Sequence, residues 1–159
     1  MENRITTNLK ISQAPLCRNC PARIYQKEDN KLKYGQGVLM PDVMFVFPTS
    51  ILWSKDIHTY LAVICNGIID LNSQYITCHP KCIAGSPVEE YSAFCEHYLL
   101  HEITKVQPNK IIFFGVDIPE RVLNSFSNII KMYKLNDLYS IRHGSKTIDY
   151  FKKELKKIL

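Results

Sequence analysis

The stretch that decides the fold is Gln107-Pro108-Asn109-Lys110-Ile111-Ile112-Phe113-Phe114-Gly115. Its run Lys110–Phe114 is short and consists mostly of β-branched and aromatic residues, which predicts a strand buried on both faces. Pro108 ends a helical pattern that starts at Ser86 with a capping-box signal. A second helical pattern starts after Asp117. The stretch therefore predicts a buried strand between two helices.

The same alternation of strands and helices extends through the rest of the chain. Three further runs predict strands, of which the last is the weakest: Val43–Phe47, Gln74–Cys78 and Leu138–Ile141. A final amphipathic helix is predicted from Ser145 to Leu159. Because alternating strands and helices predict a parallel sheet covered on both faces, we expect an α/β fold. The expected architecture is one domain over residues 1–159, a three-layer α/β/α sandwich with a mostly parallel four-stranded sheet.

The positive charge of the chain is concentrated near its C-terminal end. The net charge is +5, and residues 131–159 contain eight Lys or Arg and three acidic residues, whereas the charges of residues 1–130 cancel. This asymmetry is typical of a protein that binds a polyanion such as nucleic acid. The alternative interpretation is a solvated helix face.

The sequence also predicts a cytoplasmic location without a membrane partner. Glu2 and Arg4 carry charge where a signal peptide needs an apolar segment. The longest uncharged apolar stretch, Leu61 to Ile69, is too short to cross a bilayer. Because cytoplasmic thiols stay reduced, clustered cysteines indicate metal ligands more than disulfides.

Four of the six cysteines form a pattern typical of one metal centre. Cys17 and Cys20 are separated by two residues, which brings two thiolates together on one turn. Cys82 follows the second long strand and Cys95 lies on the next predicted helix. A structural zinc site more often has two short pairs, so this spacing favours a [4Fe–4S] cluster, with zinc as the runner-up. The alternative is a set of buried thiols without a metal.

The other two cysteines have separate interpretations. Cys65 lies in an apolar helical run and is predicted to belong to the core. Cys78 ends a predicted strand close to the expected metal centre. It is an alternative ligand in place of Cys82.

Several motifs along the chain occur in the order of a known enzyme family. They are Cys17-x2-Cys20, Tyr75-Ile76-Thr77-Cys78-His79-Pro80-Lys81-Cys82, Pro87-Val88-Glu89-Glu90, Cys95, Tyr98-Leu99 and Ile111-Ile112-Phe113-Phe114-Gly115. This arrangement resembles the iron–sulfur uracil-DNA glycosylases of families 4 and 5, from Cys17 to about Gly115. The resemblance implies that Cys17, Cys20, Cys82 and Cys95 hold a structural cluster that braces loops touching DNA.

The chain departs from the family pattern where the chemistry is expected. Pro48 stands where the family has an acid that activates water, and Cys78 stands where an Asn binds the uracil edge. His143-Gly144-Ser145 corresponds to the family's His-Pro-Ser, which implies that His143 stabilises charge on the leaving base; the alternative is a surface or phosphate-binding His. The base-pocket candidates are Phe47, Pro48, Trp53, Tyr60 and Cys78, of which the aromatic ones are alternatively core residues.

DNA binding does not require the missing catalytic groups. The candidate DNA-binding residues are Arg142, Ser145, Lys146, Lys152, Lys153 and Lys156. The first hypothesis is a protein that binds single- or double-stranded DNA in replication or repair, with a partner protein from that machinery and with uracil excision lost or weakened. The second is an active glycosylase that removes uracil or another modified base. The third is a protein-interaction module that uses the old DNA cleft.

Overall fold

The computed structural model describes residues 17, 19–21, 35–48, 55–81 and 92–159. The strands are β1 (Gln36–Gly37), β2 (Val43–Phe47), β3 (Tyr75–Cys78), β4 (Lys110–Phe114) and β5 (Lys131–Leu135). The helices are α1 (Lys55–Cys65), α2 (Ser92–Val106), α3 (Glu120–Phe126), α4 (Tyr139–Arg142) and α5 (Ile148–Ile158), with a short 3₁₀ turn at Leu71–Ser73.

The strands form one mostly parallel sheet in the order β1-β3-β2-β4-β5. Strands β3, β2, β4 and β5 are parallel to their neighbours, and the two-residue β1 pairs antiparallel with β3. The predicted α/β class and mostly parallel sheet are confirmed, but the described sheet has five strands and not four. The additional edge strand β1 is too short to give a periodic signal in the sequence.

Two apolar clusters lie on opposite faces of this sheet and account for its three layers. On one face, Phe45, Phe47 and Phe114 pack against α1 and α5. On the other face, Met44 and Val46 pack with α2 and α3. Because the central strands are buried on both sides, they consist of uninterrupted apolar residues, as is usual for parallel sheets.

The prediction of a strand over Leu138–Ile141 is wrong. These residues lie in and next to α4, and the edge strand is instead β5, Lys131–Leu135. Two of the five β5 residues are lysines that remain exposed, so the segment lacks the continuous apolar run of β2 and β4. The final helix is confirmed, although it starts at Ile148 with Thr147 as its N-cap and not at Ser145.

The strand order reverses at β2, because the chain passes from β2 to β3 on one side and then crosses to β4 on the other. In open α/β sheets, ligands bind beyond the carboxyl ends of the strands at such a point. The residues that directly follow β2, β3 and β4 are Pro48, His79 and Gly115. We refer to this end of the sheet as the carboxyl edge.

No helix within the described ranges is long and apolar enough to span a membrane.

Candidate metal centre and nucleic-acid face

The N-terminal cysteine pair lies against helix α2. The backbone N–H of Cys20 donates to the carbonyl of Cys17 at 3.3 Å, which closes the tight turn that the two-residue spacing predicts. The Cys17 thiol donates to the Tyr98 hydroxyl, with the sulfur and oxygen 3.7 Å apart. Cys95 is buried one helical turn before Tyr98, and residues three apart share a helix face. The structure thus brings Cys17 to the helix face that carries Cys95.

The complete ligand set is not within the described part of the chain. Cys82, the remaining predicted ligand, lies outside it. Among the residues at 17, 19–21, 35–48, 55–81 and 92–159, no three His, Cys, Asp or Glu side chains form a group that holds a metal. The four-cysteine centre therefore stays a prediction, supported by the burial of Cys17, Cys20 and Cys95.

The two other cysteines belong to the core. Cys65 is buried against the sheet as predicted, and burial raises the pKa of its thiol to about 12. Cys78 is also fully buried, in the cluster that packs against α1 and α5. Its side chain therefore lies on the sheet face opposite α2, which disfavours it as a ligand beside Cys95.

A buried polar network joins the segment before Cys82 to helix α2. The Lys81 ammonium donates to the Thr77 hydroxyl at 2.5 Å and forms an ion pair with the Glu102 carboxylate. The same carboxylate accepts hydrogen bonds from the Tyr75 hydroxyl at 2.8 Å and from the Gly35 backbone N–H at 2.7 Å. Burial and the neighbouring Glu102 raise the pKa of Tyr75 above its ordinary value, so its hydroxyl keeps its proton.

This network connects the residue before one predicted ligand to the helix that carries another. Lys81 directly precedes Cys82, and Glu102 lies two helical turns after Cys95. Sequence analysis missed the network, although Glu102 gives one signal. It stands between Leu99 and Val106 on the buried face of α2, where an acidic residue needs a partner.

His79 is the second feature that sequence analysis missed. Its backbone N–H donates to the Phe47 carbonyl at 2.9 Å, which extends the pairing of β3 with β2 by one residue. The side chain is 2% exposed, and neither ring nitrogen has a hydrogen-bond partner among the described residues. Burial, and then the charge of Lys81, lower the pKa of His79 to about 3, so its imidazole is neutral at physiological pH.

His143 is exposed at the C-terminal end of α4, beyond the carboxyl end of β5. Asp137 lies nearby and closely approaches Gly115, where an added Cβ would be 2.6 Å from the Asp137 Cβ. Burial raises the pKa of Asp137, although the Tyr139 N–H and the charge of His143 act in the opposite direction. The carboxyl edge therefore holds a carboxyl group with a perturbed pKa beside the predicted catalytic histidine.

Most of the base-pocket candidates are core residues in this structure. Phe47 is buried and stacks on Phe114, with ring centroids 5.0 Å apart. Tyr60 is half-buried and packs against the same cluster. Pro48 is half-buried at the carboxyl edge, and Trp53 lies outside the described residues. Pro48 directly follows β2. Among the described candidates, it is the one that belongs to neither core cluster.

The basic residues extend from the carboxyl edge to the opposite edge of the sheet. Arg142 and Ser145 are exposed beside His143, and the Lys146 ammonium lies 4.5 Å from the centre of the Tyr150 ring. Along α5, Lys152 is half-buried, whereas Lys153 and Lys156 are exposed. The Lys110 ammonium, at the start of β4, donates to the Leu159 carbonyl at 3.3 Å. Helix α5 therefore ends at the edge remote from His143.

A scan of the chain against protein-family models and a search of the curated proteins gave no match.

Proposed function

We propose that this protein is a cytoplasmic DNA-binding iron–sulfur protein with the fold of the uracil-DNA glycosylases, in which uracil excision is lost or weakened. The observation that carries the proposal is the contact between Cys17 and Tyr98. It holds the Cys-x2-Cys turn against the helix face that carries Cys95, as a shared metal centre requires. The family in this proposal is based on the order of the sequence motifs from Cys17 to Gly115.

The residues fit a cluster held by Cys17, Cys20, Cys82 and Cys95. Cys17, Cys20 and Cys95 are buried, and Cys17 contacts Tyr98, one helical turn after Cys95. Thiolates at these positions favour iron–sulfur over harder metals. When bound, the cluster supplies a structural crosslink between the N-terminal segment, the segment after β3 and helix α2.

The basic residues support DNA as the partner. Arg142, Ser145 and Lys146 lie beside His143 at the carboxyl edge, where α/β sheets bind ligands. Phosphate contacts from such residues give sequence-independent, salt-dependent affinity for single or double strands. A DNA-binding protein of this kind belongs in replication or repair, in contact with another protein of that machinery.

The same edge supports weak or absent uracil excision. Pro48 offers no carboxylate, and Cys78 is packed in the core, so neither supplies the catalytic group or the base contact that the family uses. A general base has to reach its proton within hydrogen-bond distance, which a proline side chain does not do.

The cofactor is tested by anaerobic purification followed by iron and acid-labile sulfide analysis. We expect about four irons and four sulfides per chain. Cys95→Ala should abolish the visible absorption of the cluster, whereas Cys65→Ala, a matched core cysteine, should keep it. Zinc without sulfide would show that the cysteines bind zinc and not an iron–sulfur cluster. A metal-free protein would overturn the proposal.

DNA binding is tested with the same protein and fluorescent single- and double-stranded oligonucleotides. We expect an affinity that falls steeply as salt increases, because bound phosphates release counterions. The cluster-loaded protein should release no free uracil, or release it only slowly. Absence of binding at low salt would refute DNA as the partner and favour a protein-interaction module.

A second candidate function, an active glycosylase for uracil or a modified base, is favoured by Asp137. This carboxyl group has a raised pKa and lies near His143 at the carboxyl edge, as is typical of catalytic acids and bases. Base release that is lost in both Asp137→Asn and His143→Ala would establish this activity. Equal release by both variants and the unmodified protein would exclude these two residues from the chemistry.

A further inference from the structure

Among the described residues, His79 and Ser140 have buried side-chain polar atoms without a hydrogen-bond partner, and of the two only His79 is buried as a whole residue. It is 2% exposed, and both ring nitrogens lack a hydrogen-bond partner among the described residues. Burying a polar group without a partner is unfavourable, so such groups are rare in folded proteins and each one calls for an explanation. The imidazole is therefore a candidate contact for something that this fold binds.

The burial of His79 and its donor capacity define which partners fit. In either protonation state the imidazole presents at least one N–H donor. Lys81 itself is engaged by Thr77 and Glu102. Because both ring nitrogens are buried, a free phosphate does not reach them from solvent. The partner that fits is therefore a hydrogen-bond acceptor inside the protein.

Helix α2 runs antiparallel to the strands and brings Cys95 to the same edge as His79. The carbonyl of Val106, at the end of α2, accepts a hydrogen bond from the Met40 N–H just before the start of β2. Glu102 lies beside Thr77, and Cys95 is seven residues earlier, about 10 Å along the helix toward the carboxyl edge. His79 follows Thr77 by two residues in the same direction.

Thr77 contacts Glu102 of α2, and the backbone of His79 continues the pairing of β3 with β2. Because alternate residues of a strand share a face, the imidazole of His79 lies on the α2 side of the sheet, like Thr77. Cys82 is the next residue after Lys81 and three residues after His79. A cluster held by Cys95 would thus bring sulfur atoms, which accept hydrogen bonds, to the side of the sheet that carries this ring.

A nucleobase is the other partner with matching polarity, but the burial of His79 disfavours it. A base enters from solvent, and the ring nitrogens are inaccessible there. A cluster is bound by its cysteine ligands as the chain folds, so its contacts do not require solvent access in the folded protein.

We infer that His79 donates its ring N–H to a sulfur atom of the proposed cluster and thereby raises the reduction potential of the cluster. The inference rests on the proposed function, since it requires the cluster. A hydrogen bond to a cluster sulfur stabilises the reduced, more negative state. His79 is thus a positioning and tuning residue and not a ligand.

The inference is tested by redox titration of the anaerobically purified protein, followed by the EPR signal of the reduced cluster. His79→Leu removes the donor, and we expect its reduction potential to shift to a more negative value. His79→Asn keeps an N–H donor and should remain closer to the unmodified protein. His101→Leu, an exposed histidine on α2, should leave the potential unchanged.

A measurement on the unmodified protein gives an independent test. Pulsed EPR of protein labelled with ¹⁵N-histidine should show a weak nitrogen coupling to the reduced cluster, and a strong coupling would instead indicate direct ligation and overturn the hydrogen bond. An unchanged potential in cluster-loaded His79→Leu, with a change only in the binding of base-containing DNA, would overturn the inference in favour of a base contact. Protein without iron and sulfide would refute the proposed cofactor and this inference together.

Discussion

Lys81 and Glu102 form an ion pair in the interior of the protein, with both side chains 0% exposed. The charges stay compatible with burial because Thr77, Tyr75 and the Gly35 backbone complete the hydrogen bonds of the pair. Burying two charges is costly, so such a pair is weak evidence for stability by itself. Because it connects the residue before Cys82 to the helix that carries Cys95, the pair would fix the geometry of the proposed metal centre.

Lys81→Met should destabilise the protein by about 3–5 kcal/mol, because it leaves the Glu102 carboxylate buried without its counter-charge. Chemical denaturation measures this change in the free energy of unfolding. Lys134→Met removes the partner of exposed Asp117 and should change it by less than about 1 kcal/mol. Glu102→Gln should be less harmful in the Lys81→Met background than alone, and strictly additive effects would contradict a coupled pair.

Gly37→Ala should destabilise the protein more than Gly67→Ala. Both glycines have positive φ, 145° and 75°, so both variants lose the conformational freedom of glycine. A Cβ at Gly37 would lie 2.1 Å from the Gln74 carbonyl oxygen, whereas Gly67 has no atom within 4 Å of that position. We expect about 1 kcal/mol for Gly67→Ala and at least about 2 kcal/mol for Gly37→Ala by thermal unfolding. Equal losses would show that β1 contributes little to stability.

Arg142→Gln should weaken DNA binding more than Lys156→Gln, although both remove one positive charge. Arg142 lies beside His143 at the carboxyl edge, while Lys156 is near the end of α5 at the opposite edge. The measurement is the slope of the logarithm of the binding constant against the logarithm of the salt concentration. The magnitude of this slope should fall by about one unit for the Arg142 variant and change little for the Lys156 variant. A larger effect of Lys156 would place the DNA along α5 and away from the carboxyl edge.

Asp137→Asn should stabilise the protein at neutral pH, and this gain should vanish in acid. Burial raises the pKa of Asp137 in the folded state above the unfolded value. At a pH above the pKa of the folded state, the carboxyl group is ionised in both states, and its burial lowers the free energy of unfolding. At a pH below the pKa of the unfolded state, the group is protonated in both states, and this loss of stability disappears. Asn also keeps an acceptor for the Tyr139 N–H. Thermal unfolding of both proteins from pH 3 to 8 measures the effect, expected below about 1 kcal/mol; a difference that grows toward low pH would contradict this sign.

The sequence predicted the centre of the sheet well and its edges poorly. Val43–Phe47 and Lys110–Phe114 are strands at the predicted bounds, because a strand buried on both faces is apolar throughout. The edge strand Lys131–Leu135 was missed since one side of it is solvated and accepts lysine. Leu138–Ile141 has the apolar and aromatic composition of a strand but lies in and next to helix α4. The Asp137 carboxylate accepts a hydrogen bond from the Tyr139 N–H at the start of this helix.

The sequence by itself determined the α/β class, the buried central strands and the core position of Cys65, since these depend on the local order of apolar and polar residues. The tertiary structure alone decided which distant groups meet: Lys81 with Glu102, Cys17 with Tyr98, and the burial of His79 without a described partner. Such pairings depend on how the crossover from β3 to β4 packs α2 on the sheet. Their charges and hydrogen bonds acquire their strength only after water is excluded, which no local pattern of residues records.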